Sequence, residues 1–332
     1  MISFLILPRF NMATMITMIE VLRVANYLST EPLFAWEILS FDGPQITASN
    51  GLTVTAAPPA DRNRRAEVLF VLASWGAEDY DNRDTIAFLR RQSRAGLRIG
   101  AVELGLYPVA RAGLLTHHAA TTHWSWAPGF QERFPDITLS EQLFTADAHV
   151  MTCAGGLAGV DLMLHLLTET QGAVFAGEVA DQMLHQPIRP ATAPQRRAMG
   201  QGIDTLPPLL QTAVHLIEQH IAEPLNVPAI AARLDLSQRQ LERQFKSAIG
   251  CTPVQFGLLM RLQHARVLLI ATKLSVRDIA TASGFNTLSH FTAAFGKRFG
   301  RQPSAYRQGW PAGDAMPTWP GTLADFLRGL RP

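Results

Sequence analysis

The chain has 332 residues, enough for two or three domains that each bury a core. Hydrophobic residues make up 47% and charged residues 17%, and no uninterrupted apolar stretch reaches the roughly 18 residues that a membrane helix needs. The net charge of +2 conceals an asymmetry, because residues 205–309 carry 12 Lys and Arg against 5 Asp and Glu, whereas the remainder carries 17 against 22. This distribution predicts that only the C-terminal part meets a polyanion.

The amino-terminal residues, MISFLILPRFNMAT, are apolar from the start and have neither a basic lead-in nor a small-residue cleavage site. We interpret them as a first β-strand rather than a signal peptide, and we expect a cytoplasmic protein. The two cysteines, Cys153 and Cys251, lie far apart and lack the clustered spacing of a zinc site. They predict ordinary buried thiols, and the sequence indicates neither a metal nor a cofactor.

The first half of the chain alternates short apolar runs with helical patterns. The strand candidates are Ile2–Leu7, Trp36–Phe41, Val68–Ala73, Arg98–Val102 and Ala148–Cys153. The helix candidates are Ala13–Tyr27, Asp84–Ala95, Gly159–Thr168 and Val174–Leu184. This alternation predicts an α/β domain with a mostly parallel sheet between helical layers, and the nearly continuous apolar strands fit burial on both faces.

The pattern breaks between Gln186 and Pro208, where five prolines occur without apolar periodicity. This segment predicts an exposed linker. Helical patterns then follow one another with no strand signal, which predicts an all-α domain. The predicted domains are residues 1–185 and 209–309, with a linker at 186–208 and a Pro/Gly-rich tail at 310–332 to which we assign no function.

Two segments of the helical region repeat one pattern about fifty residues apart. Each predicts a short helix, a tight turn and a second helix, the second helices being Gln238–Ile249 and Leu288–Phe299. One longer helix, Pro253–Thr272, joins the units and spans about 30 Å at about 1.5 Å per residue. That length is close to the roughly 34 Å between successive major grooves on one side of DNA. The pattern therefore predicts two helix-turn-helix motifs that read adjacent segments of duplex DNA.

Local signals mark the ends of these helices. The predicted capping residues are Asn226, Ser237 with Gln240, Ser275 with Asp278, and Thr287. Gly284 permits the sharp turn of the second unit. Each reading helix carries two apolar side chains four residues apart that would anchor it in a core, Leu241 and Phe245 in the first and Phe291 and Phe295 in the second.

The opposite face of the first reading helix would then carry polar side chains that suit DNA. They are Gln238, Arg239, Glu242, Arg243 and Lys246. Arginine reads guanine edges with two hydrogen bonds, glutamine can read adenine, and lysine suits phosphates. The alternative for either unit alone is a solvated amphipathic helix in a helical bundle, and the duplication with matching caps argues against it.

Residues 209–307 resemble the AraC/XylS family of transcription regulators, most clearly in the stretch GFNTLSHFTAAFGKRFGRQPSAYR. The resemblance implies base contacts from Arg239, Glu242 and Arg243 in the first reading helix. In the second it implies them from Leu288, Ser289 and Ala293. Family members often carry Arg at positions that are Ala293 and Gly296 here, so we expect the second unit to contribute mainly phosphate contacts. The predicted DNA-binding residues of that unit are Leu288, Ser289, His290, Lys297 and Arg298, with Arg301 as a further phosphate contact.

The first 185 residues resemble the PfpI-type, class I glutamine-amidotransferase-like domain. The matching stretches are EVLRVAN from Glu20, AGLL from Ala112, ATTHW from Ala120 and TCAGGLAGVD from Thr152. Fused to an AraC-type domain, this domain defines the GlxA-like group of regulators. The resemblance implies a flavodoxin-like sandwich that senses a small molecule.

Enzymes of this fold place a cysteine on a sharp turn from strand to helix, and the matching stretch here is GAVELGL, with Glu103 at the cysteine position. A carboxylate cannot replace a thiolate in that chemistry, so we predict no catalytic residue and no enzyme. One alternative is an amidase-like or glyoxalase-like enzyme that carries a DNA-binding appendage. Another is a ligand-independent architectural DNA-binding protein.

The resemblance places Glu20, Glu103 and His123 at the former active site, bordered by Trp75 and Trp124. Two carboxylates among aromatic rings suit a cationic effector such as an amine, an amino acid or a betaine. The alternative is that Glu103 caps its own helix and the tryptophans are core or dimer contacts. The expected partners are double-stranded DNA and a small-molecule effector. By family analogy we add a second copy of the chain bound through the N-terminal domain, RNA polymerase as a further candidate, and activation as the favoured outcome.

Overall fold

The computed structural model describes residues 1–59, 66–195 and 206–307. The chain divides into two compact units, Met1–Gln195 and Arg196–Pro332. The predicted tail, 310–332, and the part of the predicted linker at 196–205 lie outside the described residues. Within the described ranges, no helix is both long enough and apolar enough to span a bilayer.

The first unit is built on a six-stranded sheet in the order β2-β1-β5-β6-β8-β7. Its strands are β1 (Ile2–Ile6), β2 (Trp36–Leu39), β5 (Val68–Ala73), β6 (Arg98–Glu103), β7 (Phe144–Ala146) and β8 (Val150–Cys153), and a separate hairpin pairs β3 (Gln45–Thr47) with β4 (Thr53–Thr55). Neighbouring strands are parallel except for the antiparallel β7–β8 pair at one edge. The five predicted strands are present, whereas β3, β4 and β7 were missed because three residues carry too little periodicity to identify a strand.

Six helices are described in the first unit. They are α1 (Met12–Leu28), α2 (Arg83–Arg94), α3 (Leu106–Arg111), α4 (Ala127–Arg133), α5 (Ala158–Gln171) and α6 (Ala173–Gln182). Every residue of β5 is buried, as expected for a strand covered on both faces. The predicted mostly parallel α/β fold is confirmed, and α3 and α4 are short helices that the sequence patterns did not indicate.

The described beginning of the predicted linker is bound to the first unit. The fully buried carboxylate of Asp161 accepts hydrogen bonds from the backbone N–H of Arg189 (2.9 Å) and from its guanidinium (3.0 and 2.5 Å), and it pairs with His185 Nε2 at 3.0 Å. The backbone N–H of Leu143 donates to the carbonyls of Ala191 and Ala193. Residues 186–195 are exposed or partly exposed, as expected, but long-range hydrogen bonds that leave no periodic signal in the sequence hold them against the first unit, which extends to Gln195.

The second unit contains only helices among its described residues. They are α7 (Pro208–Gln219), α8 (Val227–Arg233), α9 (Gln238–Ile249), α10 (Pro253–Ala271), α11 (Val276–Ala282), α12 (Leu288–Phe299) and α13 (Pro303–Arg307). One hydrophobic cluster forms around α7, α8, α9 and the start of α10, and another forms around the end of α10, α11, α12 and α13. The two predicted helix-turn-helix motifs are therefore present, each with its own core, and α10 contributes to both.

The predicted caps form as hydrogen-bonded structures. Asn226 and Thr287 each accept a bond from a backbone N–H three residues later, and capping boxes form at Ser237 with Gln240 and at Ser275 with Asp278. A further capping box, Thr252 with Gln255, starts α10 and was not predicted. These local bonds satisfy first-turn N–H groups and so fix where each helix begins.

Candidate DNA interface and effector pocket

The first reading helix, α9, presents a polar face opposite its buried anchors. Leu241 and Phe245 are 0% exposed, as predicted. On the other side, Gln238, Arg239, Arg243 and Lys246 are exposed and Glu242 is partly buried. The Gln238 side chain donates to Glu242 Oε1 at 2.8 Å, so these two residues also contact each other. The helix can therefore offer two guanidinium groups and one ammonium group to a duplex.

The second reading helix, α12, has fewer charged groups at its exposed start. Leu288, Ser289, His290 and Lys297 are exposed, as is Ala293. The predicted phosphate contact Arg298 is partly buried, whereas Arg301, beyond the end of the helix, is exposed. The His290 ring lies edge-on to Phe285, with 5.5 Å between ring centroids. Among its exposed positions, this helix presents the Lys297 ammonium together with small or apolar side chains, and its weaker base reading stays a prediction.

The turn of the second unit is fixed by two features. Gly284 has a φ of +74°, and a Cβ at this position would collide with the backbone carbonyl of Ile221. Arg261 of α10 donates to the carbonyls of Ser283 (3.1 Å) and Gly284 (2.8 Å), and its guanidinium lies 4.2 Å from the Phe285 ring centroid. Arg261 thus orients the second motif on α10, a structural role that the sequence did not indicate.

In the first unit, Glu103 occupies a sharp turn between β6 and α3. It adopts a left-handed backbone conformation with a φ of +57°, which is costly for a residue with a side chain. Gly105 follows because a Cβ there would collide with the carbonyl of Val71, and a Cβ at Gly155 would lie 2.8 Å from that of Glu103. The strand-to-helix turn expected from the resemblance is therefore present, with a carboxylate at its apex.

The Glu103 carboxylate is buried, with 8% of the residue exposed. Ser74 Oγ donates to Oε1 at 2.9 Å, while Oε2 has no hydrogen-bond partner in the described part of the chain. Burial raises the pKa of Glu103 to about 7, against the opposing effect of the Ser74 bond and of the nearby Asn11 side chain. The Asn11 amide lowers this pKa without forming a bond of normal geometry to Oε2. Near neutral pH the group therefore exists in both protonation states.

The other predicted pocket residues divide into two sets. Trp75 directly follows Ser74 and is partly buried, and His123 follows Thr122, whose hydroxyl donates to the Glu103 carbonyl at 2.8 Å. The rings of His123 and Trp124 lie 5.5 Å apart, and Trp124 is 40% exposed. The chain segments that carry these three aromatic residues thus contact the Glu103 turn.

Glu20 has a different environment from the one that the sequence suggested. It is partly exposed on α1 and forms an ion pair with Arg23 at 2.7 Å. Asn11, the N-cap of α1, is the α1 residue that affects Glu103, and Glu20 lies about 13 Å farther along the helix axis. Burial raises the pKa of Glu103, and Glu20, which the resemblance places beside it, is not among the groups that shift this pKa.

Two residues that bond to Glu103, Ser74 and Thr122, were not predicted from the sequence, because they are ordinary residues brought to it by long-range contacts. Ser74 follows the end of β5, beside the end of β6, and Thr122 lies in a loop. The hydroxyl of Thr14, in the first turn of α1, is also buried and has no partner among the described residues. Over the same residues, no group of three or more His, Cys, Asp or Glu side chains could hold a metal ion.

The helix-turn-helix domain family matches residues 230–309, which include both reading helices. Together with the exposed basic side chains on α9, this match defines the C-terminal unit as a DNA-binding module of a transcription regulator.

Relatives extend the likeness over nearly the whole chain. The HTH-type transcriptional regulator GbdR of Pseudomonas aeruginosa is 34% identical over 319 residues, which cover 96% of this chain and 87% of that protein. The HTH-type transcriptional regulator GlxA of Rhizobium meliloti is 35% identical over 310 residues, covering 92% and 95%. The chain belongs to this group of AraC-family transcription regulators and binds double-stranded DNA. Both relatives are named as regulators rather than enzymes, which agrees with the predicted absence of catalytic function.

Among solved structures, an AraC family transcriptional regulator from Pseudomonas putida is similar to this chain in fold. It is 23% identical, covers 55% of this chain and 98% of its own, and has a TM-score of 0.51.

Proposed function

We propose that the regulator is controlled by a small cationic effector that binds against Glu103. The observation that carries this proposal is the unpaired oxygen: Glu103 Oε2 is buried and has no hydrogen-bond partner in the described residues. A buried polar atom without a partner costs roughly 1–3 kcal/mol, so a ligand that supplies a donor recovers this energy. The strained backbone of Glu103 is a further mark of a functional position.

The charge of the ligand follows from what surrounds the carboxylate. The effects on its pKa come from burial, Ser74 and Asn11, and none of these supplies a positive charge. An ammonium, guanidinium or quaternary amine would supply one, with aromatic faces available from Trp75 and Trp124. Because a cation binds the ionised carboxylate, binding should release protons below neutral pH and strengthen as the pH rises through about 7.

We propose that α9 reads bases through Arg239 and Arg243, with Gln238, Glu242 and Lys246 at its border. The second helix, α12, would contribute mainly phosphate contacts through Lys297 and Arg298, with Leu288, Ser289 and His290 at its base-facing start. The exposure of the two arginines on α9 supports this ranking. By family analogy, the protein would act in the cytoplasm as a homodimer joined through its N-terminal units, with RNA polymerase as a further partner.

The effector proposal is tested with the full chain in a thermal-shift screen of amino acids, betaines, carnitine and polyamines, followed by calorimetry on any compound that stabilises it. Saturation at a hundredfold excess over Kd would stabilise the folded state by about 2.7 kcal/mol. Glu103→Gln should abolish binding while DNA binding persists. Glu20→Gln is the matched control and should bind as the wild type does. Equal affinity of the wild type and Glu103→Gln, or an anionic effector, would refute the cation assignment.

A further inference from the structure

The first unit ends at Gln195, whose side chain is held by a dense set of hydrogen bonds. Its Nε2 donates to Thr121 Oγ1 (2.8 Å), to the carbonyl of Thr122 (2.8 Å) and to that of Gln142 (3.0 Å). Its Oε1 accepts from the backbone N–H of Trp124 at 2.8 Å. We call these contacts the Gln195 clasp. They attach the last residue before the connection between the two units to the segment 121–124.

That same segment contacts the backbone of Glu103. The Thr122 hydroxyl donates to the carbonyl of Glu103, while the Thr122 carbonyl accepts from Gln195. Thr122 therefore connects the strained turn at Glu103 directly to the clasp. Thr121 and Thr122 are almost completely buried, so their positions respond to packing around Glu103 rather than to solvent.

Other hydrogen bonds hold the residues around the clasp, so the Gln195 side chain is the link between residues 121–124 and the end of the first unit. Thr121 is tied to the sheet, because its N–H donates to Thr152 Oγ1 at 2.7 Å and its hydroxyl bonds to the carbonyls of Ser140 and Gln142. The two amide protons of Gln195 are shared among three oxygen atoms that must be mutually positioned. A displacement of residues 121–124 would break this arrangement, since hydrogen bonds weaken steeply when their geometry is lost.

We infer that Gln195 is a positioning residue that transmits the state of the Glu103 pocket to the connection between the sensor and the DNA-binding unit. When residues 121–124 hold the observed positions, the clasp fixes the chain at residue 195. When occupancy of the pocket moves Thr122, the clasp opens and the chain at residue 195 gains freedom, while the hydrogen bonds of Arg189, Ala191 and Ala193 still hold the segment before it. The inference rests on the proposed function in one respect only, which is that the Glu103 pocket is the effector site.

Trypsin offers a direct readout, because Arg196 and Arg197 immediately follow Gln195 in the sequence. A protease must bind several residues on both sides of the bond that it cuts, so cleavage here requires release of the chain at 195. Under mild digestion the rate then reports the population of the opened form. Cleavage of the full chain is followed by mass spectrometry of fragments that begin at residues 197 or 198.

The variants form a double-mutant cycle. Gln195→Ala removes the clasp, and Thr122→Val removes only the hydroxyl that bonds to Glu103. Each should raise the cleavage rate on the order of tenfold, equivalent to about 1.4 kcal/mol in the opening equilibrium. Thr122→Val should add nothing in the Gln195→Ala background, because the clasp is already open.

Two control variants separate this effect from general destabilisation. Thr122→Ser keeps the hydroxyl and should be cleaved at the wild-type rate. Gln131→Ala removes a glutamine amide that donates to the carbonyls of Pro135 and Ile137, and it should leave this rate unchanged.

The coupling is refuted if Thr122→Val has no effect in the wild-type background, or if it has the same effect with and without Gln195. Because the cycle uses neither effector nor DNA, it can succeed even if no cationic effector is found. Conversely, it can fail while effector binding at Glu103 stands.

Discussion

Replacing Glu103 by glutamine tests the physical basis of the proposed pocket through protein stability. Glutamine keeps the shape of the side chain and the oxygen that accepts from Ser74, but it cannot ionise. The perturbation therefore removes one buried titrating group from the first unit and leaves its packing intact.

The magnitude follows from the two pKa values of Glu103, about 7 in the folded protein and 4.5 as the reference for the unfolded chain. The folded state binds the proton more tightly, so ionisation of Glu103 destabilises the wild type as the pH rises from about 4.5 to about 7. At about 1.4 kcal/mol per pKa unit, this loss totals about 3 kcal/mol and is complete above pH 7. The glutamine variant does not lose this stability, because its side chain cannot ionise. Glu103→Gln should therefore gain about 3 kcal/mol over the wild type between pH 4.5 and pH 8.

The measurement is urea unfolding of the full chain at several pH values, in which the hydrogen exchange of peptides from β5 and β6 is the readout. These peptides report on the unit that contains Glu103, independently of the helical unit. Glu20→Gln is the matched control, since it removes a partly exposed carboxylate from the same unit, and its pH dependence should follow the wild type. If the stability difference between Glu103→Gln and the wild type stays constant from pH 4.5 to pH 8, the assigned burial and raised pKa are wrong.

Three further predictions concern the DNA-binding unit. Binding of the full chain to duplex DNA should weaken steeply with added salt, because basic side chains displace counterions from phosphates, and unchanged affinity in high salt would contradict this. On a site selected from random duplexes, Arg239→Ala and Arg243→Ala should each cost roughly 1–3 kcal/mol and relax one base position, whereas a larger loss of specificity in Ser289→Ala would reverse the ranking of the two motifs. Gly284→Ala should lower the Tm more than Gly300→Ala, because both have a positive φ but only Gly284 faces a colliding backbone carbonyl; equal Tm losses would exclude the collision as the cause.

The helix-turn-helix unit shows which structural features local sequence signals can predict. The boundaries of α9, α11 and α12 follow from caps such as Ser237 with Gln240, in which both partners lie within one helical turn. The buried anchors Leu241 and Phe245 follow from a spacing of four residues. Such features depend only on residues close together in the sequence, so they can be predicted without the tertiary structure. Arg261 was missed because its partners lie 22 and 23 residues away and its role depends on how α10 packs.

The sequence by itself determined that the chain joins an α/β unit to a duplicated helix-turn-helix unit, and its resemblance identified the position of Glu103. It did so because periodicity, caps and motifs are properties of short stretches. Only the tertiary structure decided the environment of that carboxylate and its connection to the rest of the chain. Ser74 is 29 residues from Glu103, Thr122 is 19 residues from it, and Gln195 is 73 residues from Thr122. The burial of Glu103, its raised pKa and the clasp arise from these contacts between residues far apart in the sequence. The order of the parallel strands and the loops between them determine which residues meet.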